Sequence, residues 1–234
     1  MVAFPSCQTA LNIFEARYRV LFNTLLAGED GLDEELIQRE AKHVGSKQFG
    51  MCYHNDSGMA SIGTILRIDT HVHLPDGRLF VVNQGMERFR VLKVLQQKPV
   101  LMCLVEILDE EEDGPAEFES AKELRQLFKE LLILNAKIKQ RDPTKAPEQL
   151  DAWQPREVSY YIASLIAESP THQQIMLEED STSKRMQLQR DLLAGSVSYL
   201  RARVALEGAF SAPEAVKDAG EAASPASAVQ MDEG

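Results

Sequence analysis

Apolar residues near the start of the chain recur three and four positions apart, as they do on one face of an α-helix. The residues of this stripe are Phe14, Tyr18, Leu21, Phe22 and Leu25. The spacing predicts a short amphipathic helix with Asn12 as its N-cap and Gly28 at its end. Glu15 and Arg19 lie one turn apart on the polar face, so we expect them to form an ion pair.

Five runs of apolar and β-branched residues follow, separated by turn-forming residues. These runs cover residues 49–53, 62–72, 80–83, 89–94 and 100–108. Pro75-Asp76-Gly77 predicts a tight turn between the second and third runs, and Gly85 is expected to end the returning strand. Short strands at such regular spacing indicate a small closed or half-closed β-barrel rather than a parallel sheet.

The pattern changes to helical spacing after the acidic run at residues 109–113. Apolar stripes predict a long helix over 117–140, a second that opens at Pro155, a third capped by Ser169-Pro170, and a fourth over about 181–207. The apolar residues of the fourth helix follow a near-heptad rhythm, which predicts a coiled coil that pairs either between chains or within one. They are Met186, Leu193, Val197, Leu200 and Val204.

The chain therefore divides into three predicted parts and belongs to the α+β class. Residues 1–112 form a β-barrel subdomain with one helix, and residues 113–210 form a helical bundle. Residues 211–234 contain almost no large apolar side chain, so we expect a disordered acidic tail. The charged segment 29–47 carries only a weak helical pattern.

The charge of the chain argues against nucleic acid and anionic membranes as partners. The formal net charge is -11, the pI is near 5.0 and no dense run of Lys and Arg offsets it. The three cysteines are far apart and odd in number, which is typical of a reducing compartment. Because residues 1–5 lack the features of a secretory signal, we expect a soluble intracellular protein that is not secreted.

The chemistry of nucleotide hydrolysis and proteolysis is not visible in this sequence. Gly45-Ser46-Lys47 lacks the preceding glycine of a phosphate-binding loop, so neither catalytic residues nor a cofactor is predicted. His71 and His73 share one face of a strand, and a metal site would need His54 or Asp69 as a further ligand. Two solvated histidines at a strand end are the favoured interpretation, so no metal is expected.

Several short motifs, in a fixed order over the first hundred residues, resemble the amino-terminal substrate-binding domain of Lon proteases, the LON domain. They are Phe4-Pro5, Phe14-Glu15-Ala16-Arg17-Tyr18-Arg19, Phe49-Gly50, Ile62-Gly63-Thr64-Ile65, Asp76-Gly77-Arg78-Leu79 and Gly85-Met86-Glu87-Arg88-Phe89-Arg90-Val91. The segment Pro155-Arg156-Glu157-Val158-Ser159-Tyr160 and the helical region after it resemble the stand-alone LON-domain proteins of plants and algae. The resemblance implies a PUA-like β-barrel followed by a helical bundle, and it points to the plastid, with the cytoplasm as the other compartment.

Two features depart from the family pattern. Only Val2 and Ala3 precede the Phe4-Pro5 pair, where the family has an apolar first strand, so we expect either that the start of the sequence is truncated or that this strand is missing. The segment 29–47 is longer than the resemblance implies at this position.

The resemblance implies a non-enzymatic module that binds unfolded or partner polypeptides, as an adaptor in protein quality control. The residues that carry the motif or could contact a peptide are Phe14, Glu15, Arg17, Tyr18, Gly85, Glu87, Arg88 and Phe89. For the aromatic residues among them, the competing interpretation is that they pack in the core. For Arg88, and for the neighbouring Arg90, the competing interpretation is an ion pair within the chain, with Glu15 or Asp69 as the partner.

Two other functions stay open at this point. PUA-like barrels elsewhere bind RNA, although the charge of -11 argues against RNA here. A ubiquitin-ligase substrate receptor of the cereblon type also carries a LON domain, but the paired CxxC motifs of its zinc-bearing domain are absent from this sequence.

Overall fold

The computed structural model describes residues 1–110, 112–166 and 169–211. Apart from its first position, the predicted acidic tail at 211–234 lies outside the described residues. The elements in chain order are β1 (Gln8–Ile13), α1 (Ala16–Leu25), β2 (Gln48–Asn55), β3 (Gly58–His73), β4 (Leu79–Gln96), β5 (Met102–Ile107), α2 (Pro115–Ile138), α3 (Pro155–Ile166), α4 (Pro170–Glu178) and α5 (Thr182–Ser211). Short 3-10 turns occupy Glu34–Leu36 and Glu148–Asp151. Within the described ranges, no helix combines the length and hydrophobicity that a membrane span requires.

The five strands form one antiparallel sheet. The strand order is β1-β4-β3-β2, and β5 pairs with the far half of β4. The strand spacing predicted a closed or half-closed barrel. Among the described strands, β1, β2 and β5 each pair along one edge only, so the sheet is not a closed barrel. The PUA-like barrel that the resemblance implies is therefore not confirmed. The reason lies in the length of β3 and β4. These two strands pair with each other and also with the three shorter strands, without bringing the edges of the sheet together.

Gly85 does not end a strand, as the sequence predicted, but lies inside β4. The N-terminal segment runs beside β4 here and continues the β1–β4 pairing. Ser6 N–H donates to the Gly85 carbonyl at 2.9 Å, and Gly85 N–H donates to the Cys7 carbonyl at 2.8 Å. A Cβ at position 85 would lie 1.9 Å from the carbonyl oxygen of Phe4. Glycine is present because two backbones approach closely, not because the chain turns.

Helix α1 begins later than the sequence predicted. Asn12 is not its cap, because this residue pairs with Phe80 in the β1–β4 ladder and Glu15 takes the N-cap position. Glu15 forms its ion pair with Arg17, at 2.8 Å, rather than with Arg19. The predicted stripe is partly confirmed, since Phe22 and Leu25 are buried against Ile13, Ile68, Leu79 and Val81.

The helices after residue 113 pack against one another around a second buried cluster. Its members are Ala121, Leu124, Phe128, Leu150, Val158, Ile162, Met186 and Leu193. Of the five predicted heptad residues of α5, Met186, Leu193 and Val197 are buried. That face of α5 is therefore used within the chain.

The N-terminal segment joins the sheet to the helices. Val2 and Phe4 are buried in a third cluster with Ile62 of β3 and with Tyr160, Ala163, Met176 and Leu177 of α3 and α4. The segment before β1 therefore contributes to the core. The division of the chain at residue 112 stays a prediction.

Candidate functional site

An apolar hairpin extends from the sheet at the far end of β4. The last pair between β3 and β4 is Ile62 with Arg90, and from Val91 onward β4 pairs with β5 alone. We call residues 91–107 the apolar hairpin. Seven of its large side chains are between 38% and 61% exposed, namely Leu92, Val94, Leu95, Leu101, Met102, Leu104 and Ile107. A two-stranded ribbon has no second layer in which to bury such side chains, so they are available to a partner.

The outer edge of β5 is the second feature of this hairpin. Among the described residues, β5 has no strand partner other than β4, with Phe89 opposite Ile107 at one end and Gln96 opposite Met102 at the other. Every second backbone N–H and C=O of an edge strand points away from the sheet. The edge can therefore accept another extended chain by backbone hydrogen bonding.

The charge of the apolar hairpin differs from that of the whole chain. Residues 91–107 contain Lys93, Lys98 and Glu106, so two positive charges and one negative charge give a net charge of +1. The whole chain carries -11. The hairpin is thus a weakly charged, apolar region on an acidic protein, and a neutral or acidic apolar segment meets little repulsion there.

Four of the predicted site residues lie together at the start of α1. Phe14 is 66% exposed, and Glu15 pairs with Arg17 in an exposed ion pair. The Arg17 guanidinium lies 4.6 Å from the centre of the Tyr18 ring, which is half-buried. This arrangement leaves Phe14 accessible to a partner, and its role in recognition stays a prediction.

The other four predicted residues are mostly inside the protein. Gly85, Arg88 and Phe89 are buried, and only Glu87 is exposed. The Phe89 ring lies against two glycines, because a Cβ on Gly50 or Gly63 would come within 2.9 Å or 2.7 Å of its Cζ atom. These buried residues contribute to the core, and any role of theirs in recognition also stays a prediction.

Arg88 joins β4 to the helical part of the protein. Its side chain is 1% exposed, and Nε donates to Glu110 Oε1 at 2.6 Å while Nη1 donates to the Leu177 carbonyl at 2.9 Å. Asp180 lies 3.1 Å from Nη2. The expected partners Glu15 and Asp69 instead pair with Arg17 and Arg67, because Arg88 points into the interior rather than along the sheet surface.

Tyr160 and Arg185 extend this buried network. Tyr160 Oη donates to the same Glu110 oxygen at 2.6 Å, and the Arg185 guanidinium stacks 4.0 Å from the centre of the Tyr160 ring. Burial raises the pKa of Tyr160, so its hydroxyl stays protonated and acts as a donor at neutral pH. The network holds α3 and the α4–α5 connection against β4.

The cysteines lack the properties of nucleophiles. Burial raises the pKa of Cys52 to about 11 and that of Cys7 to about 12, and it also raises the pKa of Cys103. A thiol with such a pKa is almost entirely protonated at neutral pH and reacts slowly.

The two histidines that the sequence offered as metal ligands, His71 and His73, lie at the end of β3. The rings of His71 and His73 lie 6.4 Å apart, and His71 Nε2 lies 3.3 Å from the Asp30 carbonyl oxygen. Burial, together with neighbouring His71, lowers the pKa of His73. In the part of the chain that the structure describes, no three His, Cys, Asp or Glu side chains form a group that could hold a metal ion.

A shallow cleft of about 250 Å³ lies between the tip of the β2–β3 hairpin and α4. Tyr53, Met59 and Ile175 are among its lining residues. Its Gln174 side chain is buried and donates to the Ile62 carbonyl at 3.0 Å and to Glu178 at 2.8 Å. Because part of its polar surface is already hydrogen-bonded, this cleft is a weaker candidate for chain binding than the open edge of β5.

The apolar hairpin was not predicted as a site, although both of its strands were predicted. A signal was present in the sequence, since residues 91–107 hold three charged residues beside a run of Val, Leu, Met and Ile. Strand patterning alone does not show whether a third strand covers such a ribbon, so the exposure became visible only in the structure.

The family of the chain follows from comparison with known proteins. The model of the ATP-dependent protease La (LON) substrate-binding domain matches residues 1–195. Lon protease from Koribacter versatilis (strain Ellin345) is 28% identical over 190 residues, and Lon protease from Treponema pallidum (strain Nichols) is 25% identical over 182 residues. These matches cover 79% and 73% of this chain but 22% and 20% of the relatives, so the chain spans about a fifth of their length.

Two solved structures share the fold. The crystal structure of Lon N-terminal domain protein from Xanthomonas campestris matches with a TM-score of 0.53 and 22% identity, over 80% of this chain and 90% of that one. The N-terminal domain of Mycobacterium avium complex Lon protease matches with a TM-score of 0.59 and 13% identity, over 82% and 92% of the two chains. At these identities the likeness concerns the fold.

Proposed function

This chain belongs to the LON substrate-binding domain family, and from that premise we propose that it is a non-catalytic module that binds extended apolar segments of other polypeptides. The observation that carries this proposal is the apolar hairpin, with its exposed side chains and the open edge of β5. An unfolded polypeptide offers apolar side chains and unpaired backbone groups, and these match the exposed apolar side chains and the open edge of this surface.

The binding mode that fits this geometry is strand addition at β5. A bound segment would lie antiparallel or parallel to Met102–Ile107 and exchange backbone hydrogen bonds with its outer edge. Alternate side chains of the segment would then contact Met102 and Leu104 on one face of the ribbon and Ile107 on the other. Each large side chain that becomes fully buried contributes about 1.5–3 kcal/mol before the cost of ordering the segment.

The recognition would be tolerant of sequence, because main-chain hydrogen bonds do not depend on side-chain identity. It would also be weak, since much of the gain offsets the ordering of the bound chain. Such properties suit an adaptor that presents unfolded proteins to a separate protease or chaperone. The adaptor role, the lack of catalysis and the location in the plastid or cytoplasm are parts of the same proposal.

Removing apolar surface from the hairpin should weaken binding without unfolding the protein. We expect a Leu95→Ser, Leu104→Ser double variant to bind reduced, carboxymethylated α-lactalbumin at least about tenfold more weakly than the wild type, a change of about 1.4 kcal/mol. Both leucines are exposed, so the far-ultraviolet circular dichroism should stay unchanged. Fluorescence anisotropy of the labelled polypeptide measures the affinity.

The matched control removes similar surface from the helical part of the protein. Leu165 and Ile133 are exposed to a comparable extent, at 55% and 47%, and a Leu165→Ser, Ile133→Ser variant should bind within about twofold of the wild type. Equal losses in both variants would show that the interaction is not directed to the hairpin. No binding by the wild-type chain at high micromolar concentration would remove the proposed function itself.

A further inference from the structure

Helix α5 carries apolar residues on two opposite faces. The inner face holds the buried residues Met186, Leu193 and Val197. The outer face holds four large residues that are between 43% and 66% exposed, namely Leu188, Leu192, Tyr199 and Leu206. A surface helix of a monomeric protein needs one apolar face, so the outer face is left without a function inside the chain.

The outer residues follow the spacing of a coiled-coil seam. Positions 188, 192, 195, 199, 202 and 206 alternate steps of four and three residues, and all six are exposed. They are Leu188, Leu192, Gly195, Tyr199, Ala202 and Leu206. The near-heptad that the sequence predicted on this helix consists of the inner residues, and a second repeat with a/d spacing lies on the outer side.

We propose that this outer seam is a self-association surface, at which α5 of a second copy of the chain packs antiparallel. In an antiparallel pair centred near residue 197, the positions that face each other add up to 394. Leu188 then faces Leu206, Leu192 faces Ala202, and Gly195 faces Tyr199 of the other copy. The seam is therefore complementary in size to its own two-fold image.

The hole that this pairing requires is open. Apart from the nearby backbone of α5 itself, a Cβ at Gly195 would have no atom of the described residues within 4 Å, so none of them fills the space above this position. In a parallel pair, by contrast, Tyr199 would face Tyr199 and Gly195 would face Gly195. That arrangement places two rings at one level and a void at another, which is why the antiparallel register is favoured.

The residues beside the seam permit two copies of an acidic protein to approach. Ser196 and Ser198 flank the proposed two-fold axis, so no like charges face each other at its centre. The remaining charge of -11 on each copy opposes association over a longer range. Because salt screens this repulsion, the dimer should become tighter as ionic strength rises.

The contact is short, and this limits its strength. Eighteen residue steps from Leu188 to Leu206 correspond to about 27 Å of helix. A single helix pair of this length buries less surface than the roughly 800 Å² per partner of a stable interface. We therefore expect a reversible dimer with a micromolar dissociation constant.

Sedimentation velocity of the full chain, from low micromolar to a few hundred micromolar, measures this equilibrium. The wild type should pass from monomer to dimer over this range, and Leu192→Glu should raise the dissociation constant at least about tenfold. Leu165→Glu places the same charge on α3 at a similarly exposed leucine and should leave the dimer unchanged. A wild-type chain that stays monomeric throughout would overturn the proposal.

A second variant distinguishes association through the outer seam from non-specific hydrophobic association. Gly195→Leu fills the hole that Tyr199 of the other copy needs, so it should abolish the dimer, even though leucine favours the helix and adds apolar surface. Tighter association of Gly195→Leu would contradict the proposed packing.

A mixture of Leu188→Cys and Leu206→Cys chains should form a disulfide between the two variants on mild oxidation, whereas a Leu188→Cys chain alone should not. The reverse result would contradict the antiparallel register.

Discussion

Replacing Arg88 by methionine should lower the free energy of unfolding by about 3–5 kcal/mol, the loss expected when one partner of a buried ion pair is removed. The Arg88 side chain is 1% exposed and that of Glu110 is 17% exposed, so the variant leaves a carboxylate with little water around it. It also leaves the Leu177 carbonyl without its Nη1 donor. Urea unfolding followed by circular dichroism measures the change.

Arg90, two positions along the same strand, provides the matched control. Its ion pair with Glu106 is 3.4 Å long, and the two side chains are 43% and 53% exposed. We expect Arg90→Met to change stability by less than about 1 kcal/mol, as exposed pairs usually do. Arg88→Lys keeps the charge but loses the planar fork of donors, so its stability should lie between those of the wild type and Arg88→Met. If Arg88→Met proved as stable as Arg90→Met, the buried network would make no special contribution to the stability of the protein.

Gly85→Ala should be the second most damaging of these substitutions. The added Cβ would lie 1.9 Å from the Phe4 carbonyl oxygen and 3.2 Å from the Cys7 carbonyl oxygen, and backbone cannot move aside as a flexible side chain does. The N-terminal segment would have to shift, which would disturb the packing of Val2 and Phe4 on α3 and α4. We expect a loss of about 3 kcal/mol or more, at the upper end of overpacking effects.

Gly195→Ala tests the same change of residue where space is free. Apart from the nearby backbone of α5 itself, no atom of the residues that the structure describes lies within 4 Å of the new Cβ, and the position is exposed within the helix. Alanine should raise the stability by about 0.5–1 kcal/mol, because glycine is the poorer helix former. Thermal unfolding of both variants at low concentration compares them. Equal effects at the two glycines would contradict the close approach at position 85.

Local pattern predicted the parts of the fold that neighbouring residues determine. Pro155 and Pro170 open α3 and α4 as expected, and Ser169 caps α4 by accepting from the His172 N–H at 3.3 Å. The predicted strand 62–72 lies within β3, and the turn at Pro75-Asp76-Gly77 separates β3 from β4. Caps, prolines and alternation act over a few residues, so the sequence displays them directly.

Features that depend on distant partners were not predictable in this way. Asn12 has the residue type of a helix cap, but a strand nearly seventy residues later pairs with it. Gly85 has the residue type of a turn, but the backbone of Phe4 accounts for it. The sequence predicted Glu15 or Asp69 as the ion-pair partner of Arg88, but its partners Glu110 and Asp180 come 22 and 92 positions later. The openness of the sheet likewise depends on register between long strands, which local spacing does not contain.

The apolar hairpin and helix α5 were likewise only partly predictable from the sequence. The apolar residues of the hairpin were visible as strand residues, but their exposure depends on the end of β3 pairing at Ile62 and Arg90. On α5, periodicity indicated a heptad, and only packing against α2 and α3 decided which face was left outside. A sequence shows which residues are apolar, whereas burial depends on what the rest of the chain places against them.

Amide hydrogen exchange of the full chain, with and without saturating reduced, carboxymethylated α-lactalbumin, tests the central claim most directly. If an extended polypeptide adds to the sheet, exchange should slow at the amides of Met102–Ile107 that point away from β4, while α1 and α4 stay unchanged. Slower exchange around Tyr53 and Ile175, or at the start of α1, with β5 unaffected, would contradict the account.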